Sequence, residues 1–207
     1  MTEVAQVQMR SGYAASRLIR GGWQLAGGHG AVEAARAAAD MVAFYDAGIT
    51  TFDCADIYTG VEEIYGEGLR LLADQRGAEA AARVRIHTKY VPDFSALATL
   101  SAADVRRIIT RSCVRLGRER LDLVQFFWWS GAVPGMVDAV GHLADLQAEG
   151  LIDRIGVTNF DQDQIADLSA RADIVSAQVQ FSVLDRRPKG DFARWCAAND
   201  VAVICYG

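Results

Sequence analysis

Apolar and polar positions along the chain alternate between two periods. Short β-branched and aromatic runs at 17–25, 49–53, 84–90, 121–128, 153–159, 174–181 and 201–206 read as strands. Between them lie stretches with helical spacing. One covers 32–47 and closes at Gly48, and a second runs from 61 to about 74. A third opens with a capping-box spacing at Ser101 and Asp104 and continues to about 116. Three more follow at 134–149, at 161–170 and around Phe192 and Trp195, and residues 1–14 are expected to form a small cap.

Seven strands with a helix in each gap predict repeated βα units on a parallel sheet. A doubly wound sheet should carry a GxGxxG turn after its first strand, and Gly27-Gly28-His29-Gly30 does not match it. Polar groups close several different strands instead, which suits a (β/α)8 TIM barrel with its site at the C-terminal ends of the strands. The expectation is one barrel domain over residues 1–207, with about seven strands present and the final βα unit missing.

Composition narrows the classes. The 207 residues are 51% hydrophobic, enough for a sizeable core, and the net charge of −5 argues against a polyanion-binding surface. The four cysteines are widely spaced without a CxxC, so neither a zinc site nor a disulfide framework is indicated. There is no His-x-His for a metal-dependent hydrolase. No basic-then-apolar leader and no bilayer-length apolar run occur, so a cytoplasmic protein binding neither membrane nor nucleic acid is expected.

The candidate chemistry gathers at strand ends. Asp53 closes the second strand, and Tyr58 follows in the next loop. Strand alternation puts Asp53, Lys89 and Phe127 in one interior layer, with Thr51, His87 and Gln125 beneath. A buried lysine beside an aspartate is tolerable as an ion pair, and its charge next to a phenol favours phenolate and lowers the tyrosine pKa. Such a tyrosine can serve as a general acid for a carbonyl oxygen. A structural ion pair beneath an ordinary tyrosine fits the same residues.

Asp53-Cys54-Ala55-Asp56-Ile57-Tyr58 resembles the Asp-x-Ala-x-x-Tyr segment of the aldo-keto reductases. Thr88-Lys89 is similar to their lysine strand, and the stretch from Gly150 to Phe160 to their Gly-x-x-Arg-x-Ile-Gly-Val-Ser-Asn-Phe segment. Gln178-Val179-Gln180-Phe181-Ser182 and Gly21-Gly22-Trp23 resemble two further segments, and the matches keep their order over nearly the whole chain.

The resemblance implies an NADP-dependent oxidoreductase that reduces a small-molecule aldehyde or ketone. Tyr58 would be the acid, Lys89 would tune it, and Asp53 would hold the lysine. Thr158, Asn159 and Gln178 would hold the carboxamide of NADP(H), Tyr206 would stack on the nicotinamide, and Gly22 and Trp23 would line its edge. Asn159 read without the resemblance is a helix N-cap, and Gln178 a barrel-interior amide.

Two departures matter. The family's strand-four histidine is replaced by Phe127, which cannot donate a hydrogen bond; Trp128 should face the helices, His87 lies too deep, and His29 sits in a loop able to reach the site. The chain also ends at Gly207, before the segments that in the family hold the rest of the cofactor, so weakened NADP(H) binding and self-association through open barrel edges are expected. A non-catalytic binding or regulatory module is the alternative.

Overall fold

The computed structural model describes residues 4–28 and 30–207; His29 lies outside them. Strands β1 (Gln6–Gln8) and β2 (Ala14–Ser16) pair antiparallel with Val7 opposite Ala15. Seven further strands follow: β3 (Ile19–Gly21), β4 (Thr51–Asp53), β5 (Arg85–Tyr90), β6 (Leu121–Phe126), β7 (Ile152–Thr158), β8 (Ile174–Gln180) and β9 (Ala202–Tyr206). They form one parallel sheet in strictly sequential order, so each strand pairs with the next. A doubly wound sheet reverses its order at a switch point; an unreversed order is that of a barrel wall. β3 and β9 are its two edges, and a groove of about 750 Å3 lies along them.

Helices fill all six crossovers: α1 (Ala34–Asp46), α2 (Val61–Arg76) with the short α3 (Ala78–Arg83), α4 (Ala102–Leu116), α5 (Met136–Ala148), α6 (Gln162–Ser169) and α7 (Asp191–Ala198). The expected capping box of α4 is formed: Ser101 accepts from the Asp104 backbone N–H and Asp104 from that of Ser101. Val105, Ile109, Ser112, Cys113 and Leu116 then fall on one buried face, the spacing of a helix lying on a sheet. Gly66 of α2 packs so closely on α4 that a Cβ there would stand 2.3 Å from the Arg115 carbonyl oxygen. That contact fixes α4 against the start of α2, beside the site.

The sheet has two cores. Its outer face, with Phe52, Ile86, Phe126, Ile155 and Val157, packs against the helices. On the inner face, Met9, Tyr13 and Ala15 from the N-terminal segment pack against Leu123, Val175 and Ile204. The expected cap is therefore a hairpin that plugs the barrel floor.

Strand one is shorter than its apolar run suggested. Only Ile19–Gly21 pairs with β4, and Trp23–Ala26 coils into a 3-10 turn. Gly22 ends the pairing by donating its N–H to the Asp53 carbonyl at 2.7 Å.

Candidate active site

β4 delivers Asp53 to the inner face, and β5 delivers Lys89. Lys89 Nζ donates to Asp53 Oδ1 at 2.6 Å and to the Cys54 carbonyl at 2.8 Å. Burial alone would lower the Lys89 pKa, but Asp53, with a further contribution from Tyr58, outweighs it and raises the pKa above its ordinary value. The second Asp53 oxygen accepts from Gln125 Nε2 at 2.8 Å and Gln178 Nε2 at 2.9 Å. One carboxylate thus holds side chains from three other strands.

The loop after β4 brings the Tyr58 ring to 5.0 Å from Lys89 Nζ, with Trp23 packed edge-on at 5.0 Å on the ring. Asp53, Tyr58 and Lys89 therefore meet as expected. Their electrostatics differ from the expectation. Burial pushes the Tyr58 phenol above its ordinary pKa, and Lys89 pulls it back only in part. The lowered tyrosine pKa is corrected to a raised one.

These groups line a pocket of about 650 Å3 at the C-terminal ends of the strands. Thr158, Asn159 and Tyr206 are on its wall as expected, and the Tyr206 hydroxyl donates to Asn159 Oδ1 at 2.8 Å. Asn159 has φ of 61°, and the N-cap of α6 is Asp161, so Asn159 turns the chain rather than capping the helix. Gln178 also lines the pocket, but its amide is already engaged: Nε2 on Asp53, and Oε1 accepting from Thr158 Oγ1 at 3.3 Å.

Gly22 is a correction. It is buried away from the pocket, where a Cβ would stand 2.8 Å from both the Asp53 carbonyl oxygen and Val61. Gly21 lines the pocket instead, with open space at its Cβ position.

Phe127 takes its expected place on the wall, and Trp128 is buried on the helix side, donating Nε1 to the Val133 carbonyl. Trp129 lines the pocket too, edge-on to Phe127 at 5.0 Å, with Nε1 on the Pro92 carbonyl at 2.7 Å. Sequence reasoning placed Gln125 in the layer beneath and did not single out Val91, which also lines the pocket. His87 lies below the site as expected, its Nε2 3.0 Å from the Tyr13 hydroxyl, and burial pushes its pKa down to about 4.

This geometry can hold a protonated phenol beside a fixed cation in a mostly apolar well. Residues 17–207 match the model of the aldo/keto reductase family. The NADH-specific methylglyoxal reductase of Escherichia coli is 27% identical over 206 residues, covering 92% of this chain and 63% of the relative. Aldo-keto reductase YhdN of Bacillus subtilis is 26% identical, covering 95% of this chain and 59% of the relative. The chain thus spans about three-fifths of these curated relatives' length. A Klebsiella pneumoniae aldo/keto reductase, solved with NADP and acetate, superimposes with a TM-score of 0.79 at 26% identity, over 99% of this chain and 68% of that one. With a family match over this span, on a sequential parallel sheet, the chain belongs to the aldo/keto reductase family.

Proposed function

We propose that this site reduces an aldehyde or ketone to an alcohol with NADP(H), and that Tyr58 protonates the carbonyl oxygen. The observation that carries this reading is the Tyr58 ring held against the ion-paired Lys89 at the wall of an open pocket.

The residues present fit a nicotinamide. The pocket volume lies in the range of small-molecule sites, its wall is mostly apolar, and Gly21 leaves open space at its edge. Thr158 and Asn159 would hold the carboxamide, Tyr206 the ring face, and Gly21 and Trp23 the edge. Gln178 serves the Asp53 carboxylate instead. When bound, the nicotinamide would supply the hydride.

A phenol with a raised pKa keeps its proton throughout the neutral range, so Tyr58 is ready to donate. As the proton leaves, the buried Lys89 ammonium stabilises the phenolate. Asp53, gripped by Gln125 and Gln178, keeps the ammonium in place. Phe127, Trp129, Ile57 and Val91 would wall the substrate end. The buried thiols Cys54, Cys113 and Cys196 suit a reducing cytoplasm.

The E. coli relative is named as NADH-specific and the Klebsiella structure holds NADP, so both cofactors belong in the test. Oxidation of NADPH and NADH is followed by absorbance with benzaldehyde as substrate. Tyr58→Phe should lower kcat/KM by about 10²–10⁴-fold, the usual weight of a general acid. For this polypeptide, whose described site serves the nicotinamide end, the expected NADPH dissociation constant is above about 1 μM.

Phe127, which offers no hydrogen-bond donor, favours the second reading, a binding module without turnover. NADPH binding without oxidation by any aldehyde would establish it.

A further inference from the structure

Beyond β4, the chain keeps pairing with β5 for two more hydrogen bonds. The Cys54 N–H donates to the His87 carbonyl at 2.8 Å, and the Asp56 N–H to the Lys89 carbonyl at 3.2 Å. In a parallel ladder, the next bond runs from the Val91 N–H to the Asp56 carbonyl. Here Val91 donates to the Asp56 side chain instead, at 3.1 Å to Oδ1. The displaced Asp56 carbonyl faces α4 and accepts from Arg115 Nη1 at 3.1 Å. The chain leaves the sheet at that point. Tyr58 donates its N–H to Ala55 and accepts at its carbonyl from Val61, which makes a compact turn with the phenol at its centre.

We infer that Asp56 is a positioning residue for Tyr58: its carboxylate stands in for a backbone carbonyl, ends the ladder, and sets the phenol against Lys89. The consequence for turnover rests on the proposed role of Tyr58; the placement itself does not.

The surroundings make the charge of Asp56, beside this hold, sensitive to pH. From α2, Glu62 is fully buried and accepts from Thr88 Oγ1 at 2.7 Å and Arg115 Nη1 at 3.3 Å, while Glu63 pairs with Arg115 at 2.9 Å. From α4, Arg111 stands 3.6 Å from Asp56 Oδ2, which accepts no hydrogen bond. From β5 comes Tyr90, whose own pKa burial raises most and Asp56 raises further. Burial, only partly offset by the Val91 N–H and Arg111, pushes the Asp56 carboxyl up to about 7.

The test labels tyrosine Cζ with 13C and follows the Tyr58 resonance, identified with Tyr58→Phe, from pH 5 to 9. Wild type should show a step near neutral pH. Asp56→Asn keeps an oxygen for the Val91 N–H but carries no charge, so it should hold the resonance at the low-pH position of wild type and abolish the step. Asp56→Ala should move the resonance and lower kcat/KM by about 10²-fold, the scale of an ångström misplacement, with little change in KM. An unmoved resonance in folded Asp56→Ala overturns the inference. A step that persists in Asp56→Asn does the same, and decides the matter if the alanine variant does not fold. A wild type without turnover overturns the proposed reaction but leaves the spectroscopic outcomes in force.

Discussion

Gln178 lies 125 residues beyond Asp53 in the chain, and its amide donates to the Asp53 carboxylate at 2.9 Å. With Lys89 and Gln125 on the same carboxylate, Asp53 ties β5, β6 and β8 together at the interior of the sheet. Asp53→Asn would leave Lys89 buried without its counter-charge. Breaking a buried pair from one side costs about 3–5 kcal/mol, so urea unfolding should show a loss of that order. The Lys89 pKa should fall in the variant, because burial then acts without Asp53.

Phe127 stands on the pocket wall where the resemblance implies a histidine. Phe127→His adds a hydrogen-bond donor for a substrate oxygen, and kcat/KM for an aldehyde should rise by about 10²–10³-fold in steady-state assays. Unchanged kcat/KM would mean that another group already fills that role.

His87 contributes acid sensitivity of definite sign. Its folded pKa of about 4 lies below the ordinary 6.5, so on acidification the unfolded chain takes up the proton first. The stability is present in full above about pH 6.5 and is lost as pH falls towards 4. The loss amounts to about 3 kcal/mol for a shift of this size. Urea midpoints measured between pH 7.5 and 4 should therefore fall more steeply for wild type than for His87→Gln.

Gly22→Ala forces a methyl to within 2.8 Å of the Asp53 carbonyl oxygen, and backbone cannot swing aside as a side-chain tip can. Thermal unfolding should show destabilisation of about 1–3 kcal/mol, the usual cost of overpacking. NADPH affinity should fall too, since the carbonyl displaced belongs to the residue that holds Lys89.

Much of this site was legible in the sequence because its groups sit at strand ends. Asp53 closes an apolar run, Lys89 stands near the end of the next strand, and period-two alternation turns both inward. Alternation does not report the stagger between strands. Gln125 pairs in register with Lys89, and from there its amide reaches Asp53 rather than lying in a layer below. The end of β3 was hidden because Gly22 and Trp23 extend an apolar run while the chain is already coiling. The sign of the Tyr58 shift was hidden because it is a contest between burial and one cation, and burial depends on the whole fold. The β1–β2 hairpin has strands of three residues, too short for a clear period.

That hairpin sets an order in time. Met9 and Tyr13 find their packing partners at Leu123, Val175 and Ile204, so the barrel floor joins residues far apart in sequence. On the ribosome, β3 to β8 are synthesised before Ile204 exists, and loop closure over that span is the slowest kind of contact to form. The floor can therefore close completely only after β9 has been made. Until it does, the nascent chain must carry an unplugged sheet whose inner face is open to water.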